Sequence, residues 1–160
     1  MLKHEHPWDL TPREGIALQR TLAELVELTP LDRPPATIAG VDMSVRGKVA
    51  QAAVVVVDAN TLAPIASAIW REPVRFPYVS GLLSFREIPA LLRALEQLPV
   101  LPDLIICDSQ GIAHPRRIGL ASHLGVLLDL PTIGAAKSRL FGTVVEPAQE
   151  AGAWTPLIDY

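Results

Sequence analysis

Only one cysteine, Cys107, occurs among the 160 residues, so no internal disulfide can form. Its place inside an apolar run marks it as a small buried hydrophobe rather than a nucleophile. No apolar run approaches the roughly 20 residues that a membrane-spanning helix needs. The polar opening Met1-Leu2-Lys3-His4-Glu5-His6-Pro7 also lacks the apolar core of a secretory signal. A soluble cytoplasmic protein with no membrane partner is expected. Positive charge is scarce too: 14 Lys and Arg stand against 17 Asp and Glu, for a net charge of -3. That balance excludes coating nucleic acid by bulk electrostatics, which needs many phosphate contacts. It leaves room for a local basic face from Arg116, Arg117, Lys137 and Arg139. Gly47-Lys48 lacks the other glycines of a phosphate-binding loop, which excludes a nucleoside triphosphatase of that type. Repeats and low-complexity tracts are absent as well.

What is present suits one domain, long enough to bury about two-thirds of its unfolded surface. Thr11-Pro12-Arg13-Glu14 combines an N-cap, a first-turn proline and a capping-box glutamate. The helix it starts carries Leu18, Leu22 and Leu25 at helical spacing until Pro30, and is expected to pack on a sheet. Residues 37–42 form a short β-rich run ending in an acid. Residues 52–57, with four consecutive valines, fit a strand buried on both faces, and Asp58-Ala59-Asn60 supplies a turn. Residues 63–70 make a third strand, with Pro64 confining its start to an edge or irregular position. The three together predict an antiparallel meander. Residues 71–81, with Pro73 and Pro77 beside Phe76 and Tyr78, read as a loop presenting aromatic groups. Ile88, Leu91, Leu92 and Leu95 mark a second helix, closed by Pro99 and Pro102. A fourth strand over 104–108, a helix over 119–128 and a short strand over 131–134 follow. The order is β-β-β-α-β-α-β after a leading helix; the tail from Thr143 has no clear pattern.

Three acids stand out by location: Asp42 at the end of the first strand, Glu87 near the start of the middle helix, and Asp108 at the end of the fourth strand. Carboxylates at adjoining strand ends suit a hard divalent cation, with positions left for water and phosphate. The plainer reading makes Asp42 and Asp108 turn-initiating acids. Glu87 likewise fits a capping box, Ser84-Phe85-Arg86-Glu87. His114, between Gly111 and Pro115, can orient a phosphate, transfer a proton, or serve as a loop histidine bonded to backbone. Lys137 follows a strand and suits phosphate, as do Arg116 and Arg117, unless all three are solvated surface charges. Tyr78 can stack on a base or pack beneath its loop. His4 and His6 lack fixed partners and make a poor metal signal. His123 is expected on a helix surface or its packing edge.

Taken together, several strings are more specific than any residue alone. Phe76-Pro77-Tyr78-Val79-Ser80-Gly81, Leu83-Ser84-Phe85-Arg86-Glu87, Cys107-Asp108-Ser109-Gln110-Gly111, Ala113-His114-Pro115-Arg116 and Pro131-Thr132-Ile133-Gly134-Ala135-Ala136-Lys137 occur in one order. In that order, the chain closely resembles endonuclease V. The resemblance implies an α/β, ribonuclease-H-like mixed sheet: the three-strand meander plus parallel strands, with helices on the faces. It also implies a magnesium-dependent nuclease, with manganese as a substitute. Such an enzyme recognises deoxyinosine in DNA and cuts the second phosphodiester bond 3′ to the lesion, in DNA repair. By the same resemblance, Asp42, Glu87 and Asp108 form the metal and catalytic site, with His114 and Lys137 assisting at phosphate. Tyr78 is the strand-separating wedge. Gly81, Leu83, Gly111 and Leu120 fall where the lesion pocket is built, with Arg116 beside it on substrate. Ser80 stands where the wedge motif usually ends in proline, and Ser109 where glycine is usual. The family normally continues past residue 160 with further strands and a helix, so a shortened single domain with an apolar sheet edge is expected. Two alternatives remain: a noncatalytic inosine-binding remnant, or a nuclease acting on inosine-containing RNA.

Overall fold

The computed structural model describes residues 2–159. The leading helix, α1 (Pro12–Ala23), begins at the expected capping box. The Thr11 hydroxyl accepts from the Glu14 N–H at 3.3 Å, and the Glu14 carboxylate accepts from the Thr11 N–H at 2.8 Å. Two backbone donors that the helix cannot satisfy itself are thereby bonded. A meander follows in β1 (Thr37–Arg46), β2 (Val49–Asp58) and β3 (Pro64–Pro73). Then come α2 (Leu83–Leu95), β4 (Leu104–Cys107), α3 (Leu120–Leu128) and β5 (Thr132–Gly134), in the order anticipated.

These strands form one mixed sheet in the order β3-β2-β1-β4-β5. β1–β2 and β2–β3 are antiparallel, whereas β1–β4 and β4–β5 are parallel. Helices α2 and α3 cover a single face. Ala39, Val41, Ala52, Val54, Ile105 and Cys107 point from that face into one cluster with Ile88, Leu91, Leu95, Leu120, Leu124 and Leu127. No described helix is long and apolar enough to cross a membrane.

Three expectations need correction. The valines of β2 are not buried on both sides: Val54 and Val56 face the helices, while Val55 is 42% exposed on the open face. Both covering helices lie on the same side, so the strand alternates in burial despite its uniform composition. Second, α1 packs on α3 rather than on the sheet. Its Leu22 meets Ile118 and Val126, and Leu25 stays exposed beyond the helix end. Third, His123 lies in the interior with no exposed surface, against the rings of His6, Trp8 and Phe85. His6 thus has a fixed partner, its Nε2 lying 2.8 Å from Nε2 of His123. The N-terminal segment that carries it is tied to the end of α3, where the Lys3 N–H donates to the Leu127 carbonyl at 2.8 Å.

One-sided burial sets a clear stability contrast. Leu91→Ala, at a side chain 1% exposed, should cost about 2–5 kcal/mol in urea unfolding. Val55→Ala on the open face should cost less than about 1 kcal/mol, because little new cavity forms.

Candidate active site

The site begins where two strands part. Parallel pairing of β1 with β4 ends at Val41 opposite Cys107, so the next residues, Asp42 and Asp108, leave the paired region side by side. Asp42 is not at a strand end, as first expected: β1 continues to Arg46, and Asp42 pairs across to Ala53 of β2. Its side chain falls on the open face, and its Oδ1 accepts from the Met43 N–H at 2.8 Å. The β4–β5 ladder runs on through the Ala135 N–H donating to the Cys107 carbonyl at 2.9 Å. That bond brings the following segment across the strand end, and the Lys137 ammonium forms an ion pair with Asp108. Hydrogen bonding and charge from Asp108, with a further contribution from Asp42, raise the Lys137 pKa above its ordinary value.

Glu87, on α2, lies within the electrostatic reach of the same acids. The capping-box reading fails, because α2 starts at Leu83 with Leu82 as its N-cap and no side chain caps it. Glu87 therefore lies more than one turn inside the helix. Burial, then the negative field of Asp42, push its carboxyl up to about 7, with Asp108 adding and Arg86 opposing. Cys107, buried beneath, has its thiol pushed up to about 12 by burial and by Glu87, and is an inert packing group as expected. Among the described residues, no three His, Cys, Asp or Glu side chains form a ready-made metal cage. The oxygen donors on hand are Asp42 and Asp108, with Glu87 close enough to feel both.

Beside Asp108 opens a cavity of about 350 Å³. Seven of the expected residues line it: Tyr78, Gly81, Leu83, Asp108, His114, Leu120 and Lys137. Gln19, Ser84, Gly119, Ser138 and Leu140 join them, and the sequence reading missed all five. Gly119 has a reason that only the fold reveals, since a Cβ there would lie 2.4 Å from the Gln110 carbonyl oxygen. Gln19 carried a faint signal, a polar residue on the buried stripe of α1 between Gly15 and Leu22. Gly111 does not line the cavity but supports its wall, its carbonyl accepting from the Gly119 N–H at 2.8 Å. A second depression, on the open sheet face, is lined by Asp42, Gly40, Ala53, Val55, Ile106 and also Asp108. Asp108 is therefore the residue common to both hollows.

Tyr78 stands at the mouth with 74% of its surface exposed. Its loop turns at Gly81, whose φ of +77° is a left-handed conformation that favours glycine. His114 lies beneath the turn, 2% exposed, with both ring nitrogens engaged by backbone. Nδ1 accepts from the Arg116 N–H at 3.1 Å, which places the ring proton on Nε2, donated to the Gly81 carbonyl at 3.0 Å. Burial and the nearby Arg116 hold this imidazole below its ordinary pKa, against the opposing effect of that bond to Gly81. The expected basic face is dispersed. The Arg116 guanidinium turns inward to Gln19 and Gly81, and Arg117 pairs with Asp159 over the Phe141 ring.

A mixed sheet in this strand order, with two carboxylates side by side where the β1–β4 pairing stops, has the architecture of the ribonuclease-H-like class. Comparison with known proteins narrows the class. A family profile described as Endonuclease V matches residues 20–160, and the chain belongs to that family. An endonuclease V from Alkalilimnicola ehrlichii is 52% identical over 157 residues, covering 96% of this chain and 69% of that protein. The crystal structure of endonuclease V from Streptomyces avermitilis superposes with a TM-score of 0.88 at 47% identity, covering 95% of this chain and 68% of that one. Endonuclease V from Ciona intestinalis, solved with a 23mer DNA containing an inosine followed by a ribo-adenosine, gives a TM-score of 0.75 at 28% identity. That match covers 84% of this chain and 61% of the other.

The raised Glu87 value carries a pH signature. A folded pKa near 7 against an ordinary 4.5 means that stability is present in full below 4.5 and is lost as pH rises through 7. Glu87→Gln should therefore stabilise the metal-free protein by about 1–3 kcal/mol at pH 8, and by less at pH 5. Melting curves in chelator at the two pH values check this.

Proposed function

We propose that this chain is a magnesium-dependent endonuclease that recognises deoxyinosine in DNA and hydrolyses the second phosphodiester bond 3′ to it, serving DNA repair. The observation that carries the reading is Asp108, shared between a cavity able to take one base and an acidic strand end able to act on a phosphate. The cavity sits at the small end of the range for ligand sites. A base must leave the stack to enter it, and a deaminated, mispaired base is cheaper to extrude. Tyr78, exposed on its loop, would fill the gap and stack on the exposed neighbours, a contact worth about 1–3 kcal/mol per base. Gly81, Leu83 and Leu120 shape the wall that the base would meet.

Asp42 and Asp108 would hold magnesium, or manganese in its place, with Glu87 as the third acid. The donor set fits: magnesium takes carboxylate oxygens from one or two side chains and leaves other positions to water and phosphate. When bound, the ion supplies charge neutralisation at the phosphate and a more acidic water. Lys137, now held on Asp108, would be released from that pair to the non-bridging phosphate oxygens. Without a metal the Glu87 carboxyl is pushed up to about 7 by burial and Asp42; a bound cation would favour its ionised form, ready to hold the ion or a water on it. His114 acts from behind the Gly81 turn, since neither ring nitrogen is free.

One observation favours a second substrate. The Ciona relative was solved on DNA whose inosine is followed by a ribonucleotide, so inosine-containing RNA belongs in the same test. Matched DNA and RNA duplexes, with inosine or adenine at one position, should be incubated with the chain with and without magnesium. Inosine-dependent nicking of DNA only in magnesium supports the reading. Preference for RNA moves the substrate, and binding without product turns the chain into an inosine-binding module. Asp42→Ala and Asp108→Ala should each lower nicking by about 100-fold or more with melting temperature preserved. Unchanged nicking in either variant would overturn the metal assignment.

A further inference from the structure

The Gly81 carbonyl receives three donors from two different parts of the chain. His114 Nε2 donates at 3.0 Å, Arg116 Nη2 at 2.8 Å and Gln19 Nε2 at 3.0 Å. A carbonyl oxygen offers two lone pairs, so this one is held from every available direction. Gln19 is the unexpected member, reaching the wedge loop from α1, a helix that does not pack on the sheet. It is 1% exposed and sits on the helix's buried stripe, where a leucine would pack without polar cost. Its amide is fully used: Oε1 accepts from Arg116 Nε at 2.6 Å, and Nε2 donates to the Ile118 carbonyl at 3.3 Å as well as to Gly81. Helix, β4–α3 connection and wedge loop are thus joined through one buried side chain. Satisfied networks of this kind rigidify what they join.

We infer that Gln19, with Arg116, is a positioning residue: it fixes the Gly81 turn so that Tyr78 and the cavity wall are preset for an extrahelical base. The inference rests on the base-pocket reading of the cavity and adds the element that keeps its mouth in shape. Arg116 acts here through Gly81, with its guanidinium turned inward, rather than as a phosphate contact. Gly81 is matched to the same role, because a Cβ there would lie 2.8 Å from Arg116 Nη2.

Two readouts on the whole protein test this: hydrogen–deuterium exchange of residues 76–83 without substrate, and nicking kinetics on inosine duplex. Gln19→Leu should speed exchange in that segment and raise KM about tenfold, the worth of the lost hydrogen bonds, with kcat within about twofold. Leu95→Ala, which opens a cavity in the main core at the far end of α2 without touching the network, should lower melting temperature yet leave segment exchange and KM as in the parent. Unchanged exchange in Gln19→Leu, or the same local changes in Leu95→Ala, would overturn the inference. Faster exchange with unchanged KM would also overturn it, leaving a bond that binds the loop but presets nothing for substrate. If the parent protein nicks no inosine duplex, the base-pocket reading fails while exchange still decides whether Gln19 holds the turn.

Discussion

The parallel pairing of β1 with β4 stops at Val41 and Cys107, and the site depends on that stop. β4 is only four residues long and β1 is ten. Asp42 therefore belongs to a continuing strand, rigid through its ladder to β2, while Asp108 begins the loop that follows a short one. One carboxylate is fixed by the sheet and the other is set beside it by register. Glu87 descends from the helix packed on the same sheet, and Lys137 arrives on the extension of the β5 ladder. Burial first, and then repulsion from Asp42 with a smaller part from Asp108, let Glu87 keep its proton up to about 7. An apolar floor beneath them, from Cys107 to Leu91, raises that repulsion by excluding water.

Titratable groups elsewhere pull in the opposite direction. Burial depresses His6, His114 and His123, the last to about 3. Each of these groups contributes stability above its ordinary value of 6.5, which is lost as pH falls towards the depressed one. Glu87 contributes stability on the acid side and loses it above about 7. In their neutral forms these histidines secure the N-terminal segment and the Tyr78–Gly81 loop.

Much of this was legible in the chain itself. The capping box at Thr11, the three-strand meander and the later β-α-β order all rest on local patterns that the structure keeps. Asp42 and Asp108 were conspicuous because each follows an apolar β-rich run. The one-sided burial of β2 was not legible, because Val55 and Val56 are chemically alike and only the placement of α2 and α3 separates them. His123 gave no sign of its burial, since its environment comes from His6 and Trp8, more than a hundred residues away in sequence. The Ser84–Glu87 string fits a cap, but α2 begins earlier and frees Glu87 for the acids. Gln19 was hidden for a related reason: its partners, Gly81, Arg116 and Ile118, are distant in sequence and are brought together only by the fold.

The central claim of the proposed function is that the cavity and the acidic site, which share Asp108, tie the place of the cut to the base that is recognised. Mapping the cut at nucleotide resolution on an end-labelled duplex with a single deoxyinosine tests it most directly. The proposed function predicts one product length, ending at the second phosphodiester bond 3′ to the inosine, that moves in step when the inosine is moved. Cuts at several positions, or at a place that ignores where the inosine lies, would contradict the account.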